Sequence, residues 1–228
     1  MDPRPNLRLG TAEQPVWDGG GEGPRPGGPG KLEASVKTVA VILAARAEKG
    51  LGLVAALAEH EGGRSFLRSL SSSMAKAGCA VVGGIGEDAE RVVEWHPGAQ
   101  LVEAPAWADR PGSVLQVGLN AAKAADAERI LIQPVDMPAV RVTTLKTLVA
   151  KSLSPGFPVV LTMEATEKLL GMDASQTPEQ LLAALTPRTL VVKDPGVVVR
   201  IRDADLYERV LGHAPNEAQA PKKRGRRE

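Results

Sequence analysis

The sequence predicts an α/β fold in three layers, a mostly parallel sheet with helices on both faces. Two observations lead there. From Val36 onward short apolar runs alternate with amphipathic stretches, which is the pattern of successive βα units. The run Val39-Ala40-Val41-Ile42-Leu43-Ala44-Ala45 then empties into a turn, the usual way such a fold presents backbone N–H groups to a phosphate. A chain of 228 residues, 43% hydrophobic, is long enough to bury one continuous core.

The strands follow in order at 38–44, 80–83, 100–103, 129–134, 158–162 and 190–193, each an apolar run bounded by polar or turn residues. Helices fill the gaps. Residues 65–77 place Phe66, Leu67, Leu70 and Met74 at helical spacing, and 113–125 does the same with Val114, Val117 and Leu119 after the start signal Gly112-Ser113. Residues 143–152 read as helix. So does 178–185, which opens with Thr177 as N-cap, Pro178 at the first position and Glu179 in the first turn. A helix at 204–211 closes the domain, expected to span 35–214.

The two ends read differently. Residues 1–34 hold eight glycines and six prolines with no apolar period, so they bury too little surface to offset the entropy of ordering, and disorder is expected. Residues 215–228 are expected to be a basic disordered tail. Its last eight residues carry five cations against one carboxylate, a net +4, which leaves about −3 for the rest of a chain whose net charge is +1. The body is therefore no basic nucleic-acid surface, and the tail offers at most weak, salt-sensitive contact. The single cysteine, Cys79, excludes an internal disulfide and a thiolate zinc cluster, and it reads as a buried strand residue. No segment approaches a membrane span and no signal-peptide pattern opens the chain, so a cytoplasmic protein is expected.

Two constellations carry chemistry. Gly84-Ile85-Gly86-Glu87-Asp88-Ala89 fits G-x-G-x-x-A, with Glu103 17 residues beyond Gly86. Yet the element is not the first βα unit, its helix is short, and two carboxylates would face a pyrophosphate; a tight strand-to-helix turn accounts for it. Asp136 ends the apolar run Ile130-Leu131-Ile132-Gln133-Pro134-Val135, at the carboxyl edge of a sheet where ligands of open α/β folds bind. It is the best candidate ligand for a hard cation such as Mg²⁺, and equally an aspartate capping the turn before Pro138. His60, His96 and His213 share no ligand spacing. Trp17, Trp95 and Trp107 are too scattered to stack bases.

Taken together, residues 36–213 resemble the MobA-like nucleotidyltransferases of molybdenum-cofactor maturation, which transfer CMP or GMP onto molybdopterin. The strand ending in Leu43-Ala44-Ala45 looks like the family's Leu-Ala-Ala-Gly. Gly62-Gly63-Arg64 resembles its Gly-Gly-Arg helix entry, Ala104-Pro105-Ala106-Trp107 its Asn-Pro-x-Trp segment, and Pro134-Val135-Asp136-Met137-Pro138 its Pro-x-Asp-x-Pro metal turn. Asp194-Pro195-Gly196-Val197 is similar to the stretch before its last helix. The resemblance implies a nucleotidyltransferase fold of the GT-A-like kind. It also implies nucleotide contacts at Ala44, Ala45, Arg46, Gly52 and Ser113, a metal ligand at Asp136, and CTP or GTP with Mg²⁺ as ligands.

Most of the family's charged groups are missing when carried over. Its signature glycine is Arg46 here, its arginine falls on Gly50 and its lysine on Ala55. Val114 replaces a hydroxyl beside Ser113. The Gly-His-Pro motif would be Gly156-Phe157-Pro158 without its imidazole, or else 158–162 is the strand before a deleted motif. The Asp-Ile-Asp run reads Arg200-Ile201-Arg202, two arginines that oppose a cation. Loss of these contacts removes several kcal/mol of transition-state stabilisation. The reading is a degenerate, non-catalytic nucleotidyltransferase-like protein, a regulatory or scaffolding partner of another protein or of a second copy of itself. The alternatives are an active transferase in which Arg46, Lys49, Arg200 or Arg202 supplies the missing charge, and a Mg²⁺-nucleotide sensor.

Overall fold

The sheet forms around its longest apolar run. In the computed structural model, which describes residues 37–151, 157–185 and 190–219, Thr38–Ala44 is strand β1 and lies at the centre. The short hairpin β2 (Ala47–Glu48) and β3 (Leu53–Val54) follows it. The other sheet strands are β4 (Ala80–Ile85), β5 (Leu101–Glu103), β6 (Arg129–Pro134) and β7 (Val159–Thr162), in the order β5-β4-β1-β6-β7. All neighbours are parallel except β7, which runs antiparallel to β6. The mostly parallel three-layer fold expected from the sequence is the one observed.

Alternation along β1 divides the core. Val39 and Val41 face one layer with Leu115 and Leu119 of α3 (Ser113–Ala124) and Leu169 of α5 (Met163–Leu170). Ala40, Ile42 and Ala44 face the other, with Phe66, Leu67 and Leu70 of α1 (Phe66–Lys76) and Leu145 and Leu148 of α4 (Val142–Lys151). Helix α2 (Ala89–Trp95) adds Val92 to this second layer, and α7 (Ala204–Leu211) adds Tyr207; α6 (Pro178–Ala183) adds Leu181 to the first. Gly118 lets α3 approach β1 closely, since a Cβ there would collide with Val41. The cap expected at Thr177 is present, whereas α3 starts at Ser113 after Gly112 without a side-chain cap. Ser65 accepts from the Arg68 N–H at 3.1 Å, and Thr177 with Gln180 forms a complete capping box.

Three expectations need correction, and one helix is added. Residues 190–193 are no strand: Val191 is 90% exposed and the segment pairs with no strand among the described residues. A β-branched run makes a strand only where a neighbour supplies the ladder. Helix α5 is an addition to the expected helices: Thr162 caps it, Thr166, buried, donates to the Thr162 carbonyl, and Met163, Leu169 and Leu170 pack on the first layer. Cys79 is buried, but in the turn before β4, where burial pushes its thiol up to about 11. The body also runs past 214. Asn216 and Ala218 pair through the backbone with Glu59 and Leu57 at 2.8 and 2.9 Å, and Glu217 pairs with Arg91 at 2.5 Å. The segment 1–34, the cationic run 221–227 and Gly156 lie outside the described residues.

Candidate functional site

A cleft opens at the carboxyl ends of β1 and β6, where an α/β sheet offers a site. It encloses about 620 Å³, mouth included, with Leu43, Trp107, Pro111, Val114 and Pro178 as apolar walls. Its charged groups are Arg46, Asp136, Glu179, Arg200 and Arg202. Gly86 sets one wall, because a Cβ at that position would collide with the Trp107 indole. Its role is close packing, and the G-x-G-x-x-A match is a strand end followed by a tight turn through Asp88 in the left-handed region (φ 55°).

Asp136 is 2% exposed and fixed from both of its ends. Its carbonyl accepts from the Ile201 N–H at 2.7 Å, which lays the extended segment Arg200-Ile201-Arg202 alongside it. Residues two apart on an extended segment share a face. Ile201 therefore enters the core, fully buried, while Arg200 and Arg202 both turn to the carboxylate. The Arg200 Nε donates to the two carboxylate oxygens at 3.2 and 2.9 Å, and the Arg202 Nε to one of them at 2.7 Å. Each arginine also reaches Glu179, at 2.8 and 3.5 Å, and the Arg200 guanidinium lies 5.7 Å from the Phe157 ring centre. Burial alone would raise the Glu179 pKa, but the hydrogen bond from Arg200 and the charges of both arginines hold it below the usual range. Arg200 is shifted up: burial acts against its charge, and the charges and hydrogen bonds of Asp136 and Glu179 together more than offset this.

These four side chains form a closed ionic cluster that does not fit a divalent cation. A hard cation needs free carboxylate oxygens, and here both oxygens of Asp136 are taken by guanidinium donors. Among the described residues no group of three or more His, Cys, Asp or Glu side chains could hold a metal ion.

Of the residues the sequence put in one site, the cleft brings together Ala45, Arg46 and Asp136. Ala44 is buried below it. Gly52 and Lys49 belong to a separate groove with Glu87, Asp88 and Arg91, because the β2–β3 hairpin turns that way, so Lys49 supplies no charge to the cleft. Ser113 does not line the cleft; its Oγ is buried without a hydrogen-bond partner. Gly50 stands where the family has an arginine, and a Cβ there would strike the Arg202 carbonyl at 2.6 Å. Ala55, in the lysine position, is 1% exposed inside the core. Glu179 was missed as a site residue, since in sequence it is one more acid in a helix first turn.

A mostly parallel open sheet with a cleft at the carboxyl ends of its strands defines an α/β domain of the class that binds its ligands at that edge. The chain belongs to the family of the MobA-like NTP transferase domain, whose model matches residues 40–210. Among solved structures it is similar to a nucleotidyl transferase from Methanothermobacter, with TM-score 0.64 and 18% identity over 78% of this chain and 97% of that one. It is also similar to Rv0371c from Mycobacterium tuberculosis H37Rv, with TM-score 0.62 and 18% identity over 78% and 99%. The manganese complex of that protein aligns with TM-score 0.57 and 19% identity over 78% and 100%. At these identities the likeness shows the fold. No curated protein matches the chain in sequence.

Proposed function

We propose that this chain is a catalytically silent member of the nucleotidyltransferase family, acting as a regulatory or scaffolding partner of another protein or of a second copy of itself. One observation carries the reading: the Asp136 carboxylate is occupied by Arg200 and Arg202. Nucleotidyl transfer needs positive charge on the phosphates, supplied in such sites by a metal and by fixed cations. Here the arginines are spent on carboxylates. The positions of the family's own arginine and lysine hold Gly50 and Ala55, neither of which can take a cation without displacing backbone or core.

A second reading is binding of CTP or GTP without turnover, and Arg46 favours it. This exposed arginine lines the same cleft as Arg200 and Arg202, whose charges Asp136 and Glu179 balance, so its guanidinium is the one an anionic ligand would meet there without a metal. Isothermal titration with CTP and GTP, in Mg²⁺ and in EDTA, together with a pyrophosphate-release assay, separates the readings. The silent partner gives no heat with either nucleotide. Binding that survives EDTA without pyrophosphate release supports the second. Mg²⁺-dependent binding with pyrophosphate release on adding molybdopterin overturns both and restores an active transferase.

A further inference from the structure

We propose that a second groove, separate from the cleft at Asp136, binds the phosphate group of a small ligand. It lies between one face of α1, the turn 60–64, the loop 138–142 and the end of α7, and encloses about 900 Å³, mouth included. None of its lining residues lines the first cleft. On α1 the face is built by Ser69, Ser72, Ser73 and Lys76, spaced so that all four lie on one side of the helix. Arg64 and Arg141 add two more cations, against the single carboxylate of Glu61.

Two buried polar atoms in this groove have no partner. Ser69 is 4% exposed and its Oγ makes no hydrogen bond; the Nδ1 of His60 is likewise buried and unpaired. Leaving such a group unsatisfied costs about 1–3 kcal/mol, so a ligand oxygen that bonds to either one is favoured. Burial lowers the His60 pKa, as does Arg64, with Glu61 acting in the opposite direction. A neutral imidazole with its proton on Nδ1 donates to an anion. A phosphate seated here accepts from Ser69 and His60 and faces the Lys76 ammonium and the Arg64 and Arg141 guanidiniums, the donor set a tetrahedral dianion needs. Arg141 is only loosely committed elsewhere, its Nε 4.0 Å from Asp194.

The inference does not depend on how Asp136 functions. Its test is a titration of the full chain with inorganic phosphate, glycerol phosphate and acetate, followed by amide and imidazole NMR shifts. Saturable shifts with phosphate and glycerol phosphate, grouped on His60, Ser69, Ser72, Ser73, Lys76 and Arg141, are expected. Lys76→Gln, on the exposed end of α1, weakens them about tenfold, as loss of one charge-assisted bond does. Ser69→Ala, which keeps the helix, weakens them less. Acetate binding as tightly as phosphate, shifts grouped on Arg46, Arg200 and Arg202, or no saturation at millimolar phosphate each overturn the proposal.

Discussion

At Asp136 a buried carboxylate is neutralised by two side chains whose placement follows from a two-residue alternation. Arg200 and Arg202 share a face because Ile201 occupies the core, and one backbone hydrogen bond from Ile201 to the Asp136 carbonyl sets that face against the carboxylate. Replacing both arginines with aspartate converts the cluster into one of four carboxylates with no guanidinium among them. Like charges at such range repel, so the Arg200→Asp, Arg202→Asp variant is expected to be less stable than the parent in EDTA and to regain stability with Mn²⁺. At a hundredfold excess over its dissociation constant the ion returns about 2.7 kcal/mol. Thermal unfolding with and without Mn²⁺ reads this directly; a parent that gains as much as the variant would show that the arginines do not block the metal. The alternation Arg-Ile-Arg was visible in the sequence. Glu179 as a partner of both arginines was not, because α6 meets residues 200–202 only through the fold.

At the scale of elements, one loop is held by a buried acid. Asp194 accepts from the Thr144 hydroxyl at 2.7 Å and from the Arg141 and Gly196 N–H groups at 2.9 Å each, tying the loop after β6 and the start of α4 to the chain before α7. Gly196 belongs to the same junction, since a Cβ there would strike the Ala139 carbonyl. Burial would raise the Asp194 pKa, but the hydrogen bond from Thr144 and the two amides outweigh it and hold the group below its ordinary 3.8. A depressed carboxylate stabilises the fold above its unfolded pKa and loses that contribution as pH falls through the folded value. Unfolding free energy measured in urea is therefore expected to fall below pH 3.8, and to fall less steeply in Asp194→Asn; parallel curves for the two proteins would remove Asp194 from the account. Strands β1 and β6 matched their expected bounds because an apolar run buried on both faces reads plainly. Residues 190–193 carry the same β-branched signal without a neighbour to pair with, and α5 depends on a cap and one buried leucine.

For the whole molecule, the compact body runs from the centre of the sheet to a C-terminal segment folded back onto it. Tyr207, fully buried, donates its hydroxyl to the Glu59 carbonyl at 2.5 Å and stacks on Phe66 with ring centres 5.9 Å apart. Asn216 bonds to both Tyr207 and Glu59. A chain ending at Ala214 loses two backbone hydrogen bonds, the Arg91–Glu217 pair and the buried Ala218. Relative to a chain ending at Gln219, its midpoint of thermal unfolding is expected to drop by about 5 °C, for a loss of about 2 kcal/mol. Equal midpoints would mean that the segment adds nothing. Among the described residues no helix is long and apolar enough to cross a membrane.

The sequence by itself determined the layers of this protein, the central strand, the position of Asp136 at the sheet's carboxyl edge, Arg46 in place of the family's glycine, and the replacement of family charges at Gly50, Ala55, Arg200 and Arg202. Periodicity and turn chemistry are local, and they survive without knowledge of what packs on what. Tertiary structure alone decided that Gly52 and Lys49 leave the cleft, that Ser113 does not line it, and that Arg200 and Arg202 close on Asp136 and Glu179. Those are contacts between residues up to 66 positions apart, fixed by how a hairpin turns and where an extended segment hydrogen-bonds, and no spacing in the chain encodes them.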